Sequence, residues 1–317
     1  MTKLNPHNQI SGTKENLSLI LATYSINDFT FSPINEGIEN SSFVIESLGK
    51  KYVLRVYGQG RATTDTITFE ISFQDYLREH GIPIPTIYPN AEGKELTVTE
   101  IDGKQWRSIL MSFVEGKSTT TELTPELVAE LANFQAKMHL LGVDFAKKSD
   151  RAKEPWTELR DTIIEEKRES AVLTPEVASF LENAARFRYQ LDPELPHGYN
   201  HLDIDFHGNV ITKDNQIAAI IDFEDLQYSP MIVCLAYSMC GMLIDGGADM
   251  MWLYLKEYEK VRPLTPLERE ALPNIILFRN YVIGIVELLL LKKKADVPEI
   301  QTILKLEKEI PIFWNRK

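Results

Sequence analysis

The chain has 317 residues, 44% of them hydrophobic and 25% charged, which is long enough for about two domains and ordinary for a globular protein. The formal net charge of −12 and the pI near 5.1 argue against non-specific nucleic-acid binding, which needs a basic surface, and are compatible with a cationic substrate. Its two cysteines, Cys234 and Cys240, are too few for a disulfide framework.

Two features of the sequence predict the cellular location. The N-terminal residues are polar and carry no apolar signal-sequence core. The most apolar run, at 283–291, is interrupted by Glu287 and is too short to span a bilayer. We therefore expect a cytoplasmic protein with neither a nucleic-acid nor a membrane partner, and the sequence leaves the oligomeric state open.

The first part of the chain is predicted to consist mainly of strands joined by tight turns. Leu48-Gly49 and Asp102-Gly103 have the residue types that two-residue hairpin turns require. The predicted elements are, in chain order, a helix at 16–26, a strand from 29, strands at 43–47 and 52–57, a helix at 65–80, and strands at 95–101 and 105–114.

Arg55 is a lone charge in an otherwise apolar strand. A charge in a sheet centre is seldom buried without a partner, so Arg55 either faces outward or pairs with an acid. Glu70, in the middle of the predicted helix 65–80, is either that acid or a surface glutamate. The polar segment 34–42, which includes Ser41, is either a structural turn or a phosphate-binding loop.

The character of the chain changes at Glu115-Gly116, and we place a domain boundary there. Residues 1–114 are predicted to form one lobe and residues 115–317 a mainly helical second lobe. His139 lies on the first helix of that lobe and is predicted to be a core or capping residue. The predicted helices of the second lobe lie at 124–141, 156–169, 175–189, 231–243, 250–261, 266–291 and 298–310.

The stretch Pro196–Leu226 is the strongest functional candidate. Strands at 210–212 and 217–221, joined by turn residues, predict a hairpin whose outer ends are polar. Acidic residues that converge without a nearby Lys or Arg repel one another, and oxygen ligands suit a hard cation such as Mg²⁺. The alternative is a solvated acidic loop. The polar residues at the two ends are His201, Asp203, Asp205, His207, Asn209, Asp222, Glu224 and Asp225.

Taken together, these features resemble the aminoglycoside phosphotransferase, choline kinase and homoserine kinase superfamily. His201-Leu-Asp203 followed by Asn209 resembles the catalytic loop His-x-Asp-x-x-x-x-Asn, and Ile221-Asp222-Phe223-Glu224 resembles the metal-binding Asp motif. Leu54-Arg55 resembles the strand whose basic residue grips nucleotide phosphates, and the segment 110–116 resembles the linker that holds adenine. The resemblance spans nearly the whole chain and implies an α+β, two-lobed protein-kinase-like fold, with an N-terminal antiparallel sheet lobe and a mainly helical C-terminal lobe.

The resemblance implies an ATP- and Mg²⁺-dependent transfer of the γ-phosphate to a hydroxyl of a small molecule, such as an amino alcohol, homoserine or an aminoglycoside. Residues 1–114 are then the nucleotide-binding lobe, and residues 115–317 carry the catalytic hairpin and the acceptor site. The implied site residues are Arg55, Glu70, Ser41, Met111 and Phe113 for the nucleotide, Asn209 and Asp222 for the metal, Asp203 with His201 for catalysis, and Glu224, Asp225 and Tyr228 for the acceptor.

Three positions depart from the family pattern. Five residues separate Asp203 from Asn209 where the pattern has four, and Asp205 would leave three, so Asp203 is chosen because of His201 and Asp205 is the second candidate. Arg55 stands where protein kinases have Lys, and a guanidinium binds phosphate with a different geometry. Glu224 replaces the glycine of the protein-kinase Asp-Phe-Gly motif, which favours small-molecule kinases.

Two other functions are compatible with the same residues. The irregular spacing and Arg55 would also fit a nucleotide-binding regulatory module without turnover. A metal-dependent hydrolase that uses His201, Asp203, His207 and Asp222 is the third hypothesis.

Overall fold

The structure is a computed structural model that describes residues 9–34, 40–59, 62–119, 122–145, 174–290, 294 and 296–314. The central part of the segment 34–42 and the predicted helix at 156–169 lie outside the described residues. The described helices and strands are, in chain order, α1 (Lys14–Ala22), β1 (Thr30–Ile34), β2 (Ser41–Ser47), β3 (Lys50–Tyr57), α2 (Thr64–Glu79), β4 (Ile87–Tyr88), β5 (Thr97–Ile101), β6 (Lys104–Ser112), β7 (Lys117–Thr119), α3 (Pro125–Asp144), α4 (Pro175–Arg186), β8 (His197–Asn200), β9 (His207–Lys213), β10 (Gln216–Ile220), β11 (Gln227–Pro230), α5 (Met231–Val261), α6 (Pro266–Ile285) and α7 (Pro298–Trp314).

The chain forms two units. The first contains the described residues up to Thr119 together with His207–Glu224, and the second contains those at 122–145 and 174–206 and those from Asp225 onward. The predicted lobes, 1–114 and 115–317, remain a prediction about nucleotide and acceptor binding. The units differ from a single cut at 115 because β9, far along the chain, pairs with β7 and so belongs with the first unit.

The first unit is built on an antiparallel sheet in the order β1-β2-β3-β6-β4, with β5 also paired to β6. Leu54 and Val56 of β3 face one side and join the apolar cluster that includes α1. Because side chains alternate along a strand, Arg55 and Tyr57 face the other side, where Tyr57 packs with Ile67 of α2. Arg55 is therefore buried, with 8% of its area exposed, and the outward-facing alternative is wrong.

The central hairpin forms as predicted. Asp214 and Asn215 lie in the left-handed region, with φ of 51° and 57°, which is the backbone of a two-residue hairpin turn. The hairpin continues into a three-stranded sheet in the order β10-β9-β7. Gly116, just before β7, permits this close approach, because a Cβ there would lie 2.5 Å from the carbonyl oxygen of Thr212.

The second unit is mainly helical, and its described residues include one pair of strands. β8 precedes the hairpin in sequence and β11 follows it; the two strands pair antiparallel, and neither was predicted. Helix α5 covers both of the helices predicted at 231–243 and 250–261, with a kink at Gly247, whose φ is 76° and ψ −175°. Helix α6 is followed by a π-helical turn at Val286–Leu290.

Two helices of the second unit are apolar and long enough, by length and composition, to cross a membrane. They are Met231–Val261 and Pro266–Leu289, and 67% and 56% of their most apolar windows are buried inside the protein. Such burial is typical of core helices that are apolar on most sides.

Candidate active site

The hairpin of the first unit brings Asn209 and Asp222 to the same end. The N–H of Ile221 donates to the carbonyl oxygen of Asn209 at 2.9 Å. Asp222 is the next residue in the chain, so it lies at the same end of the hairpin as Asn209. The N–H of Ile220 donates to the carbonyl of Pro83 at 2.8 Å, which anchors this end to the segment after α2. The predicted convergence of these two residues is therefore confirmed.

A buried arginine binds the acids at this end of the hairpin. One Nη of Arg55 donates to Asp222 at 2.7 Å and to Glu224 at 2.8 Å. Asn40 also donates to the Glu224 carboxylate. The guanidinium lies 5.3 Å from the ring centre of Tyr57, which supports it from its own strand.

The charge on Arg55 is stabilised by its surroundings. Burial alone would lower the pKa of the guanidinium, but the negative charges around it, Asp222 first and Glu70 and Glu224 after it, outweigh burial and raise the pKa well above its usual value. Arg55 is therefore a permanent cation inside the first unit.

Glu70, predicted as the partner of Arg55, accepts hydrogen bonds from two other residues. Its Oε1 accepts from the Tyr57 hydroxyl at 3.4 Å and from Gln74 at 3.2 Å. The side chain is 1% exposed, so the surface alternative is wrong. Its charge acts on Arg55 through space, while the described ion pairs of Arg55 are those with Asp222 and Glu224.

The residues at the hairpin end fit a magnesium ion. Asn209 and Asp222 supply only oxygen ligands, and Mg²⁺ is usually held by one or two carboxylates together with water and substrate phosphates. Within the described ranges, no three His, Cys, Asp or Glu side chains come together in a way that could hold a metal. A caged metal site of the kind a hydrolase would use therefore has no support among those residues, whereas a site completed by nucleotide phosphates does not require one.

The remaining predicted nucleotide residues lie on the sheet of the first unit. Ser41 is the first residue of β2 and pairs with Val56. Met111 pairs with Val53 in the sheet and is half-buried, and half-buried Phe113 follows β6. These roles remain predictions.

In the second unit, the loop after β8 holds His201 and Asp203 in a constrained backbone. The N–H of Asp203 donates to Nδ1 of buried His201 at 3.3 Å. Leu202, between them, has a φ of 71°, in the left-handed region that a bulky residue seldom adopts. Such a backbone conformation persists only where the surrounding structure holds it.

Asp203 is bound by an arginine from helix α6. One Nη of Arg279 donates to Oδ1 of Asp203 at 2.9 Å. The expectation that the central acids lack a nearby basic residue is therefore wrong in both units, because arginines distant in sequence reach them. Arg279 was missed, although it shows a signal similar to that of Arg55, because it is the only charge between Ala271 and Val286.

The other predicted residues of this stretch lie in different surroundings. Asp205 is half-buried and lines a small cavity with Asp203. Asp225 ends a short 3₁₀ helix, Phe223–Asp225. Tyr228 is 56% exposed on β11 and stacks on His197 with ring centres 5.7 Å apart. Roles in acceptor binding for these residues, and for Glu224, remain predictions.

Comparison with known proteins identifies the family. The family model described as "Phosphotransferase enzyme family" matches residues 30–254, which is most of the chain. The chain belongs to the phosphotransferase enzyme family. This confirms the resemblance and makes the protein a phosphotransferase of the kinase type.

Similar curated proteins are homoserine kinases. That of Rhizobium meliloti is 30% identical over 271 residues, which cover 82% of this chain and 79% of the relative. That of Xanthobacter autotrophicus is 29% identical over 271 residues, which cover 82% and 80%. A regulatory module without turnover is not favoured by relatives of this kind.

Solved structures confirm the α+β, two-lobed kinase-like fold. An amicoumacin kinase, solved with AMP-PNP, Ca²⁺ and amicoumacin, superimposes with a TM-score of 0.69 at 18% identity over 96% of this chain and 94% of that chain. A microcompartment-associated aminopropanol kinase superimposes with a TM-score of 0.69 at 16% identity over 96% and 97%.

Proposed function

We propose that the protein transfers the γ-phosphate of ATP, with Mg²⁺, to a hydroxyl of a small molecule that carries an amine, with a homoserine-like acceptor as the leading candidate. The observation that carries this proposal is the cluster of buried Arg55 with Asp222 and Glu224, next to Asn209. The homoserine kinases among the relatives, and the kinase neighbours with amine-bearing acceptors, support the acceptor class.

The first unit would bind the nucleotide. Arg55 would contact its phosphates, the strand end with Met111 and Phe113 would hold the base, and Glu70 would support Arg55 from α2. Asn209 and Asp222 would hold Mg²⁺, which when bound neutralises charge on the phosphates. Asp222, which is paired with Arg55 in this structure, would share its carboxylate between the guanidinium and the metal.

The second unit would supply the group that acts on the acceptor. Asp203 would orient the acceptor hydroxyl and take its proton as the new bond from oxygen to γ-phosphorus forms. The bond from γ-phosphorus to the bridging oxygen breaks at the same time, and ADP leaves with that electron pair. Most of the rate enhancement in such transfers comes from positioning and charge stabilisation.

The test is ADP release by the full chain with ATP and Mg²⁺, against L-homoserine, choline, 3-amino-1-propanol and an aminoglycoside. Asp203→Asn and Asp222→Asn are each expected to lower kcat by several orders of magnitude. Asn is chosen at 222 because the backbone there has a φ of 65°, which Asn tolerates better than Ala.

Asp214→Asn is the matched control, since it makes the same chemical change at an exposed turn of the same hairpin. It is expected to retain wild-type turnover. Near-normal turnover in both Asp203→Asn and Asp222→Asn would contradict the roles proposed for these two residues. Removal of the divalent metal with EDTA is expected to abolish ADP release, and added Mg²⁺ to restore it.

A further inference from the structure

A small cavity in the second unit brings one arginine and two aspartates together. It is lined by Asp203, Asp205, Tyr237 and Arg279, with Ile204, Gly241 and Ile283 completing the wall. Its volume is about 30 Å³, room for roughly two water-sized groups such as the two oxygens of a carboxylate. This combination of charges has no role in the phosphoryl-transfer scheme beyond Asp203 itself.

The guanidinium of Arg279 is held in a fixed plane. One Nη is bound to Asp203, and the central carbon lies 4.2 Å from the centre of the Tyr237 ring. Only 16% of the Arg279 side-chain area is exposed. A guanidinium on an aromatic face keeps its N–H edge available for acceptors in its plane.

Part of the donor edge is unused. Nε of Arg279 is buried and has no hydrogen-bond partner within the described part of the chain. An unpaired buried donor is unfavourable in a folded protein, and a ligand that accepts a hydrogen bond from it removes that cost. The natural ligand for a guanidinium edge is a carboxylate, which accepts two parallel hydrogen bonds.

The charges in the cavity match a zwitterion. Asp205 is suited to an ammonium group, as in any amino alcohol or aminoglycoside, while Asp203 faces the acceptor hydroxyl in the proposed function. An acceptor that carries only positive charge gains nothing from the largely buried Arg279 beside these acids and is repelled by it. An acceptor with both an amine and a carboxylate pairs with both signs.

We propose that Arg279 recognises the carboxylate of the acceptor and thereby selects a short hydroxy amino acid over amino alcohols and amino sugars. This inference rests on the proposed function, in which Asp203 faces the acceptor hydroxyl. Because Arg279 is bound to Asp203, a carboxylate on the guanidinium edge and a hydroxyl at Asp203 must be separated by a short carbon chain. Arg279 is thus a specificity-determining residue.

The test compares binding by calorimetry, with the full chain saturated with a non-hydrolysable ATP analogue and Mg²⁺. The ligands are L-homoserine, 3-amino-1-propanol, which lacks the carboxylate, and 4-hydroxybutanoate, which lacks the amine. Wild type is expected to bind L-homoserine at least about tenfold more tightly than 3-amino-1-propanol. Arg279→Gln is expected to weaken L-homoserine binding by about tenfold or more and to leave 3-amino-1-propanol binding unchanged or improved.

Arg279→Lys keeps the charge but cannot donate two parallel hydrogen bonds from one planar edge. Its affinity for L-homoserine should lie between those of wild type and Arg279→Gln. If Arg279→Gln does not fold, the lysine variant carries the same comparison. Arg269→Gln removes a charge from an exposed site on the same helix and serves as the matched control, with all three affinities unchanged.

Equal affinity of wild type for L-homoserine and 3-amino-1-propanol would overturn the inference, even if both are phosphorylated. An equal loss of kcat on every acceptor in Arg279→Gln, with KM values unchanged, would also overturn it and make Arg279 a positioning residue for Asp203. Selective, Arg279-dependent binding of L-homoserine without phosphorylation of any acceptor would instead count against the proposed function alone.

Discussion

Arg55 and Arg279 set the electrostatics of the residues that the sequence marks as functional. Arg55 pairs with Asp222 and Glu224 in the first unit, and Arg279 pairs with Asp203 in the second. In each case the basic group comes from an element far from the acid in sequence. The acids are therefore compensated within each unit before any metal or substrate binds.

Removing Arg55 should destabilise the protein. In Arg55→Met, Asp222 and Glu224 keep their charges without the cation between them. Loss of one partner of a fully buried ion pair costs about 3–5 kcal/mol, but both acids are partly exposed, so we expect about 1–3 kcal/mol. Urea unfolding measures the difference.

Lys51→Met is the matched control for that measurement, because Lys51 lies on the same strand with exposed partners, Glu46 and Glu115. Its effect is expected to stay within about 0.5 kcal/mol. If Arg55→Met lowers the free energy of unfolding no more than Lys51→Met does, the ion pairs of Arg55 with Asp222 and Glu224 add nothing to stability. In that case Arg55 would serve binding alone.

At the scale of elements, close backbone contacts place the functional loops. Gly142 of α3 lies against β8, the strand that leads into His201 and Asp203. A Cβ at Gly142 would lie 2.2 Å from the carbonyl oxygen of Tyr199, a distance that real side chains do not adopt. The glycine is therefore required by the packing of α3 on β8.

Gly142→Ala is expected to lower stability by about 1–3 kcal/mol, as for other overpacked sites. Alanine is otherwise the better helix former by about 1 kcal/mol, so any loss reports the steric conflict. Gly241→Ala on α5 is the matched control for stability, since its Cβ would meet only Asp205, at 4.0 Å. Thermal unfolding of both variants tests this, and equal melting temperatures would refute it.

The elements that the sequence predicts well are those with local signals. The turns Leu48-Gly49, Asp102-Gly103 and Asp214-Asn215 are set by neighbouring residues, and all three form. Strands β8 and β11 were missed because they are short and pair across an intervening hairpin. Their stability depends on a partner that no local pattern reveals.

At the scale of the whole molecule, the family and fold class are predictable because several motifs occur in the right order along the chain. The partners of the acids are not, since Arg55 reaches Asp222, and Arg279 reaches Asp203, only through the folded chain. Both arginines stand in the sequence as single charges within apolar runs, Val53–Tyr57 and Ala271–Val286. The first was predicted to be a site residue and the second was not.

A buried polar network should make the stability of the protein fall in mild acid. Nδ1 of His139 lies 2.6 Å from the Tyr258 hydroxyl, and Arg262 donates to that hydroxyl and to Glu268. Burial, and then the charge of Arg262, hold the pKa of His139 well below its usual value of 6.5. His139 is thus neutral in the folded protein, the core role that its sequence position suggested.

The sign of the pH effect follows from the protons bound. Below pH 6.5 the unfolded chain protonates His139 while the folded protein does not. The contribution to stability is therefore complete above that pH and is lost as pH falls towards the depressed folded pKa, by up to about 1.4 kcal/mol per pH unit.

His139→Gln keeps an acceptor for Tyr258 but does not titrate. Wild type is expected to lose about 1 kcal/mol more than this variant between pH 7.5 and 5.5, measured by urea unfolding. His80→Gln, at an exposed site, controls for the replacement itself. Identical pH dependence in wild type and His139→Gln would contradict the buried, neutral histidine.

The pairing of β7 with β9 has a consequence for dissecting or recombining this protein. A fragment that stops after Thr119 would leave β7 with an open edge and would separate Arg55 from Asp222 and Glu224. The first unit therefore cannot be expressed or exchanged as one contiguous segment. Exchange of the first unit between relatives has to include residues 207–224, by circular permutation or by a double crossover, and the proposed metal ligands belong to that second segment.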